Sequence, residues 1–159
     1  LIGTGVLKWY AIAIVFVLLD QATKYVADST LSYGQPVYVL PVFNITLHYN
    51  TGAAFSFLSD AGGWQRWFFI LVSSLVSVAL IVWIGLIKNQ QRLLTFALVM
   101  ILAGAVGNLI DRALLGYVGD FISLHWKGYY FPAFNVADAC ITLGAATMLL
   151  DMVLHPEDK

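Results

Sequence analysis

The sequence predicts an α-helical membrane protein in which four transmembrane helices carry a small extramembrane β-sheet. Hydrophobic residues make up 60% of the 159 residues and charged residues only 11%, whereas soluble domains carry roughly 25% charged residues. Four apolar runs are long enough to cross a bilayer, which takes about 20 helical residues. These observations exclude an ordinary soluble globule and predict a single membrane-embedded domain over residues 1–159.

The predicted transmembrane helices are the four apolar runs, at about residues 7–25, 67–87, 93–110 and 136–154. The first run passes directly into a polar helical turn and not into the small residues of a cleavage site, so we expect a retained helix and not a signal peptide. The short basic connector at 88–92 favours the cytoplasm, although all eight basic residues, those of the connector included, divide four and four between the two sides. We therefore expect the excursions 28–66 and 111–135 to share the opposite side.

The first excursion contains a predicted antiparallel sheet. Apolar and polar residues alternate over 43–50, and a short apolar run precedes them at 37–40. This period of two is typical of a half-buried strand. We expect the apolar face of the sheet to meet membrane or protein and the polar face, which includes His48, to meet water. Because an open sheet edge cannot lie in lipid, the sheet should cap the bundle outside the bilayer.

Two aspartates, Asp120 and Asp138, lie where hydrophobic segments meet their polar flanks. A carboxylate at a membrane boundary costs free energy unless it is paired, hydrogen-bonded or protonated, so two of them indicate a functional site. Neighbouring carboxylates share a proton, and the ionised one can activate water while the protonated one polarises a peptide carbonyl. We interpret them as the dyad of an aspartic peptidase. A structural alternative stays open for Asp138, because Asn135 would form a capping box with it.

Further polar residues are expected at the same membrane face. Asp20 and Lys24 are four residues apart, in the order that favours a helical ion pair. They serve either as a snorkelling pair at the interface or as support for the site. Asn50 and Gly52 suit either a plain turn or a groove that holds an extended peptide.

The third apolar run ends in three polar residues that can project from roughly one helix face. Asn108 lies three residues before Asp111 and four before Arg112. Arg112 with Asp111 is either an anchoring pair at the membrane boundary or a pair that orients and neutralises the site. Ala103, Gly104 and Gly107, in the same run, are small enough for close helix packing.

Other chemistries fit the sequence less well. The chain has one cysteine, Cys140, three scattered histidines and no His-Glu-x-x-His motif, so we expect no metal site and no cofactor. No serine or cysteine stands near a matching histidine and acid at readable spacing. The net charge of −1 argues against a nucleic-acid partner. The alternative is a small proton-coupled transporter, since intramembrane acids also relay protons, but the second and third runs are almost wholly apolar at their centres.

Five motifs in this order resemble those of the bacterial lipoprotein signal peptidases, or signal peptidase II. They are DQATK at 20–24, NTGAAF at 50–55, GAVGNLIDR at 104–112, VGDF at 118–121 and FNVAD at 134–138. The resemblance covers almost the whole chain and implies that Asp120 and Asp138 are the catalytic dyad. The residues that it implies as supporting the site are Asp20, Lys24, Asn50, Gly52, Asn108, Asp111, Arg112 and Asn135. Ala103, where glycine is usual, and Gly119, where a β-branched residue is usual, depart from the pattern.

The resemblance also implies a location and a substrate. Family members are bacterial inner-membrane enzymes whose active site lies near the periplasmic face, so the β-sheet cap should be periplasmic. Their substrates are diacylglyceryl-modified prolipoproteins, which they cut immediately before the lipidated cysteine. Membrane lipid and globomycin-type inhibitors are the other expected binding partners.

Overall fold

The computed structural model describes residues 4–52, 63–87 and 91–156, so motif residues 53–55 and most of the basic connector lie outside the described residues. Four helices are long and apolar enough to cross a membrane, and four strands form one antiparallel sheet, which confirms the predicted fold class. The helices are α1 (Thr4–Thr30), α2 (Trp64–Leu86), α3 (Arg92–Leu114) and α4 (Val136–Leu154). The strands are β1 (Val37–Leu40), β2 (Phe43–Asn50), β3 (Val118–Trp126) and β4 (Tyr129–Tyr130).

Three helices extend beyond the spans expected from hydrophobicity. Helix α1 continues to Thr30, past the expected end near residue 25, α2 begins at Trp64, before the expected start at 67, and α3 continues to Leu114. Asp111 and Arg112 therefore lie on the last turns of a helix and not in the excursion 111–135. An apolar run marks only the part of a helix that crosses lipid, whereas these polar turns continue because their side chains find partners in the protein.

Helix α3 is the centre of the bundle and packs against α1, α2 and α4. Its Ala97 and Val99 are completely covered. Where α3 meets α4, a Cβ on Gly104 would collide with the carbonyl oxygen of Ala137, and one on Gly107 would lie 2.6 Å from Asp20 Oδ2. The small residues therefore permit close approach, as expected, and bring α1, α3 and α4 together at one end of the bundle.

The sheet follows the order β1-β2-β3-β4 and packs beside that same end. The register of β2 and β3 places His48 opposite Asp120 and Asn50 opposite Val118. The carbonyl oxygen of Phe134, just before α4, accepts hydrogen bonds from two successive N–H groups of β3, at 3.1 and 2.9 Å. The sheet is thereby tied to the start of α4.

The expected orientation of β2 is wrong. Its polar residues were expected to face water, yet Asn44 and Thr46 are buried, whereas all of β1 is exposed. Asn44 lies opposite Ser123 of β3, which is also buried. The physical reason is that a cavity separates this polar face from the chain at 130–133, so that the face is turned toward a recess in the protein.

Candidate active site

A buried lysine, Lys24 of α1, is surrounded by polar groups from α1 and α3. Its Nζ lies 2.8 Å from Asp20 Oδ2 and 2.8 Å from Asp111 Oδ2, and it donates to Asn108 Oδ1 at 3.0 Å. A buried ammonium group is tolerated only with such compensation. Because Lys24 and Asp20 are both buried, the pair is not a snorkelling pair at the interface.

Asp20 also fixes the start of α4. Its Oδ1 accepts a hydrogen bond from the backbone N–H of Ala137 at 2.8 Å. The first N–H groups of a helix have no partner within the helix, and a carboxylate there is favoured by the helix dipole. The first helix of the chain therefore positions the helix that carries Asp138.

Asp138 lies in the first turn of α4 and is half-buried. The capping box is present: Asn135 Oδ1 accepts from the Asp138 N–H at 2.9 Å, and Asp138 Oδ2 accepts from the Asn135 N–H at 3.4 Å. The other carboxylate oxygen, Oδ1, accepts from Asn108 Nδ2 at 2.8 Å. The Asp138 side chain thus caps α4 and is also connected, through Asn108, to Lys24. Its role in the capping box therefore does not exclude a catalytic role.

Asp120 lies on β3 and is 4% exposed. Its Oδ1 accepts a hydrogen bond from Asn135 Nδ2 at 2.7 Å. Burial and the nearby charge of Asp138 raise the pKa of Asp120 to about 6, against the weaker lowering effects of hydrogen bonds from Asn135 and Asn50. Asp120 is therefore the carboxyl group that retains a proton more readily than an ordinary aspartate.

Strand β3 is also held in place at Gly119, the residue before Asp120. Asn135 Nδ2 lies 3.3 Å from the carbonyl oxygen of Gly119, and Gly119 pairs with Tyr49 of β2. The space where a Cβ of Gly119 would lie is open. Although Gly119 stands where a β-branched residue is usual, the backbone of β3 is held there on one side by Asn135 and on the other by pairing with β2.

Arg112 forms no salt bridge with Asp111, so the anchoring-pair alternative is wrong. Asp111 is bound by Lys24 and by Gln21 instead. The Arg112 guanidinium lies 4.9 Å from the ring centroid of Phe69, in a cation–π contact. From there it interacts electrostatically with the Asp120 and Asp138 carboxylates, so it places a positive charge beside the two acids.

Gly52 follows β2 and adopts a positive φ of 88°. A Cβ at this position would collide with the Phe69 ring. The Gly52 N–H donates to Asn50 Oδ1 at 2.8 Å. The turn is therefore packed against the Phe69 ring, which Arg112 also contacts, and it holds the Asn50 side chain through the Gly52 N–H.

Sequence reasoning missed two polar residues. Gln21 Nε2 lies 2.9 Å from Asp111 Oδ1, 3.2 Å from the Gly107 carbonyl and 3.3 Å from Asp20 Oδ2; its position inside the DQATK motif was the available signal. Arg66 of α2 donates to two carbonyl groups of the last turn of α3, at 2.9 and 2.7 Å. No sequence pattern links residue 66 to that helix end.

The family model of signal peptidase (SPase) II matches residues 12–154. The chain belongs to the signal peptidase II family. It is 50% identical over 149 residues to the lipoprotein signal peptidase of Cellvibrio japonicus (strain Ueda107), covering 94% of this chain and 88% of that protein. The lipoprotein signal peptidase of Teredinibacter turnerae (strain ATCC 39867 / T7901) is 52% identical over 145 residues, covering 91% and 86%.

A solved structure of a bacterial membrane enzyme, determined by the in meso method at 2.3 Å resolution, is 34% identical and superposes with a TM-score of 0.82. The match covers 96% of this chain and 91% of that chain. The resemblance noted in the five motifs is thus confirmed, and this signal peptidase II is an aspartic-type peptidase embedded in a membrane. The transporter alternative is not supported.

Proposed function

We propose that this signal peptidase II removes signal peptides from diacylglyceryl-modified prolipoproteins and that Asp120 and Asp138 are its catalytic dyad. The observation that carries the proposal is the linkage of these two carboxyl groups, from β3 and α4, through the amides of Asn108 and Asn135. Paired carboxyl groups in unlike environments are what an aspartic mechanism needs, because one must be ionised and the other protonated.

The unlike environments of the two carboxyl groups support a different role for each. Asp138 is half-buried at a helix N-terminus and accepts hydrogen bonds on both oxygens, which stabilises a carboxylate. Asp120 is more deeply buried, and its raised pKa keeps a proton on it. Asp138 is therefore the base that faces the attacking water, and Asp120 is the acid that faces the peptide carbonyl.

The reaction balances without a further group. Asp138 accepts a proton from water as the water oxygen bonds to the carbonyl carbon, and the Asp120 proton moves to the carbonyl oxygen. The C–N bond of the resulting gem-diol then breaks. Asp138 returns its proton to the departing amine, and a hydroxyl proton returns to Asp120. Arg112 offsets the negative charge of the pair throughout.

The substrate must reach these acids at a membrane boundary. A diacylglyceryl group holds the adjacent cysteine at that depth, since each buried methylene contributes about 0.8 kcal/mol, and the exposed leucines and valines of α1 and α2 offer lipid-compatible walls. Cleavage immediately before the lipidated cysteine follows if the scissile bond is placed between lipid and peptide anchors. Globomycin-type inhibitors would occupy the same position.

The enzyme is proposed to lie in the bacterial inner membrane with the dyad near the periplasmic face. In that orientation the termini and residues 88–92 are cytoplasmic, and both excursions are periplasmic. Single cysteines at residues 90 and 127, labelled in intact cells with a membrane-impermeant maleimide, test this in a Cys140→Ala background. Residue 127 should react and residue 90 should not; the reverse result contradicts the orientation.

The function is tested with purified protein and a matched pair of precursors, one diacylglyceryl-modified and one unmodified. Mass spectrometry of the products should show cleavage before the lipidated cysteine, with a much lower kcat/KM for the unmodified precursor. Equal kcat/KM for the two precursors in the same detergent would contradict the lipid requirement. Cleavage at another peptide bond would contradict the proposed cleavage position.

A further inference from the structure

A groove runs along the inward-turned face of the sheet. Its cavity of 670 Å³ is lined by β2, by β3 and by the chain at 130–133. Asp120 and Ser123 both line it. Three residues of a strand span about 10 Å, so the groove extends far enough from the proposed acid to hold about three residues of an extended peptide.

Four polar side chains on this face lack hydrogen-bond partners. Among the residues that the structure describes, the side chains of Thr46, His48 and Ser123 form no hydrogen bond, although His48 contacts the ring of Tyr33. Asn44, at the same face, is completely covered, and neither its Oδ1 nor its Nδ2 has a hydrogen-bond partner. Buried polar groups are almost always hydrogen-bonded in folded proteins. This face therefore offers hydrogen-bonding capacity that the fold does not use.

The position of the groove indicates which part of a precursor fits it. The groove lies beside the sheet, beyond the apolar helices, whereas the apolar part of a signal peptide belongs in lipid. The residues that follow the cleaved bond lead away from the membrane toward water. An extended peptide offers one N–H and one C=O per residue, which matches the unpaired hydroxyl and imidazole groups that line the groove.

Resting on the proposed function, we propose that this groove binds about three residues that follow the lipidated cysteine, in extended form and mainly through their backbone. Ser123 and Thr46 contact that peptide. Asn44, opposite Ser123 in the register, is a positioning residue whose unpaired amide becomes a partner for the Ser123 hydroxyl when peptide binds. Because backbone groups are common to all sequences, the groove accepts precursors that differ in their side chains after the cysteine.

The test uses diacylglyceryl-modified precursors that end one, two or four residues after the cysteine. The wild-type enzyme should gain roughly tenfold in kcat/KM between the shortest and the longest precursor, mostly through a lower KM. Replacing the peptide bonds after the cysteine by N-methylated ones should remove most of this gain. The gain should fall below about threefold in Asn44→Leu and in Ser123→Ala.

Ser77→Ala is the matched control, since Ser77 is another buried hydroxyl without a partner, on α2 and away from the groove. This variant should keep the full increase in kcat/KM between the shortest and the longest precursor. Asn44→Leu should not lower the thermal midpoint, because it removes unpaired polar atoms from the interior; this separates a role in binding from a role in folding.

Three outcomes overturn the proposal. The first is a wild-type kcat/KM that does not depend on precursor length. The others are a kcat/KM that falls equally for all lengths in the two variants, or an increase with length that is as large in both variants as in the wild-type enzyme. In each of these cases cleavage of the shortest precursor still supports the proposed function. Failure to cleave any lipidated precursor would instead contradict the proposed function itself.

Discussion

Asn108 and Asn135 stand with their amides 3.5 Å apart, and each donates to a different carboxylate. Asn108 binds Asp138 at 2.8 Å, and Asn135 binds Asp120 at 2.7 Å. Asn108 is held in turn by Lys24. Neutral amides can link two acids that would repel each other if both were ionised, and they fix the acids without a cation between them.

Asp120→Asn and Asp138→Asn should each lower kcat for prolipoprotein cleavage by at least about a thousandfold, because each removes one proton-transfer group. Both proteins should still insert and fold, since the amide keeps the shape of the side chain. Processing is measured by gel shift and folding by the thermal midpoint in detergent. Near-normal turnover in either variant would remove that residue from the dyad.

The pH dependence follows from the pKa of Asp120, about 6. The acid works while protonated, so kcat/KM should fall as pH rises through about 6 and decline up to tenfold per further pH unit. A profile measured from pH 5 to 9 with a lipidated precursor checks this. A kcat/KM that rises steadily through pH 6 to 8 would contradict the assignment of Asp120 as the acid.

The same pKa has a consequence for stability. Because the pKa is raised on folding, Asp120 contributes stability below pH 3.8, and this contribution is lost as pH rises through about 6. Asp120→Asn should therefore have a higher thermal midpoint than the wild-type protein at pH 8, and the difference should shrink toward pH 4. A constant difference at all pH values would show that ionisation of Asp120 is not its cause.

Lys24→Met should destabilise the protein strongly, by about 3–5 kcal/mol, because it leaves two buried carboxylates without their cation. Lys8→Met, an exposed lysine on the same helix, is the matched control and should have little effect. Thermal unfolding in detergent compares them. Adding Asp20→Asn and Asp111→Asn to Lys24→Met should recover part of the lost stability. If no stability is recovered, the unpaired carboxylates are not the cause of the destabilisation.

Gly52→Ala should lower kcat by at least about tenfold, because the new methyl group meets the Phe69 ring on which Arg112 lies. Gly128→Ala is a matched control, since Gly128 has a similar φ of 85° and open space around it. Both variants carry the strain of a positive φ, which costs roughly 1–2 kcal/mol. Equal activity in the two would show that backbone strain alone matters.

The helices could be predicted because long apolar runs are visible in sequence, and the two acids could be singled out because they lie at the ends of such runs. The partner of Asp111 could not. Arg112 is its neighbour in the chain, but adjacent helical residues point in different directions, and the observed partner Lys24 comes from another helix. The burial of Asn44 and Thr46 could not be predicted either, because alternation shows that a strand has two unlike faces without showing which face meets the protein.

The Lys24 network also constrains how the chain is made. The partners that α1 needs for its buried charges arrive late: Asn108 and Asp111 from α3, and the Ala137 N–H from α4. Until those helices are synthesised and inserted, the polar end of α1 has only its own Asp20–Lys24 pair. Asp20 gains its last partner, the Ala137 N–H, only when α4 has entered the membrane, so a ribosome-bound intermediate that lacks α4 does not yet bring Asp120 and Asp138 together.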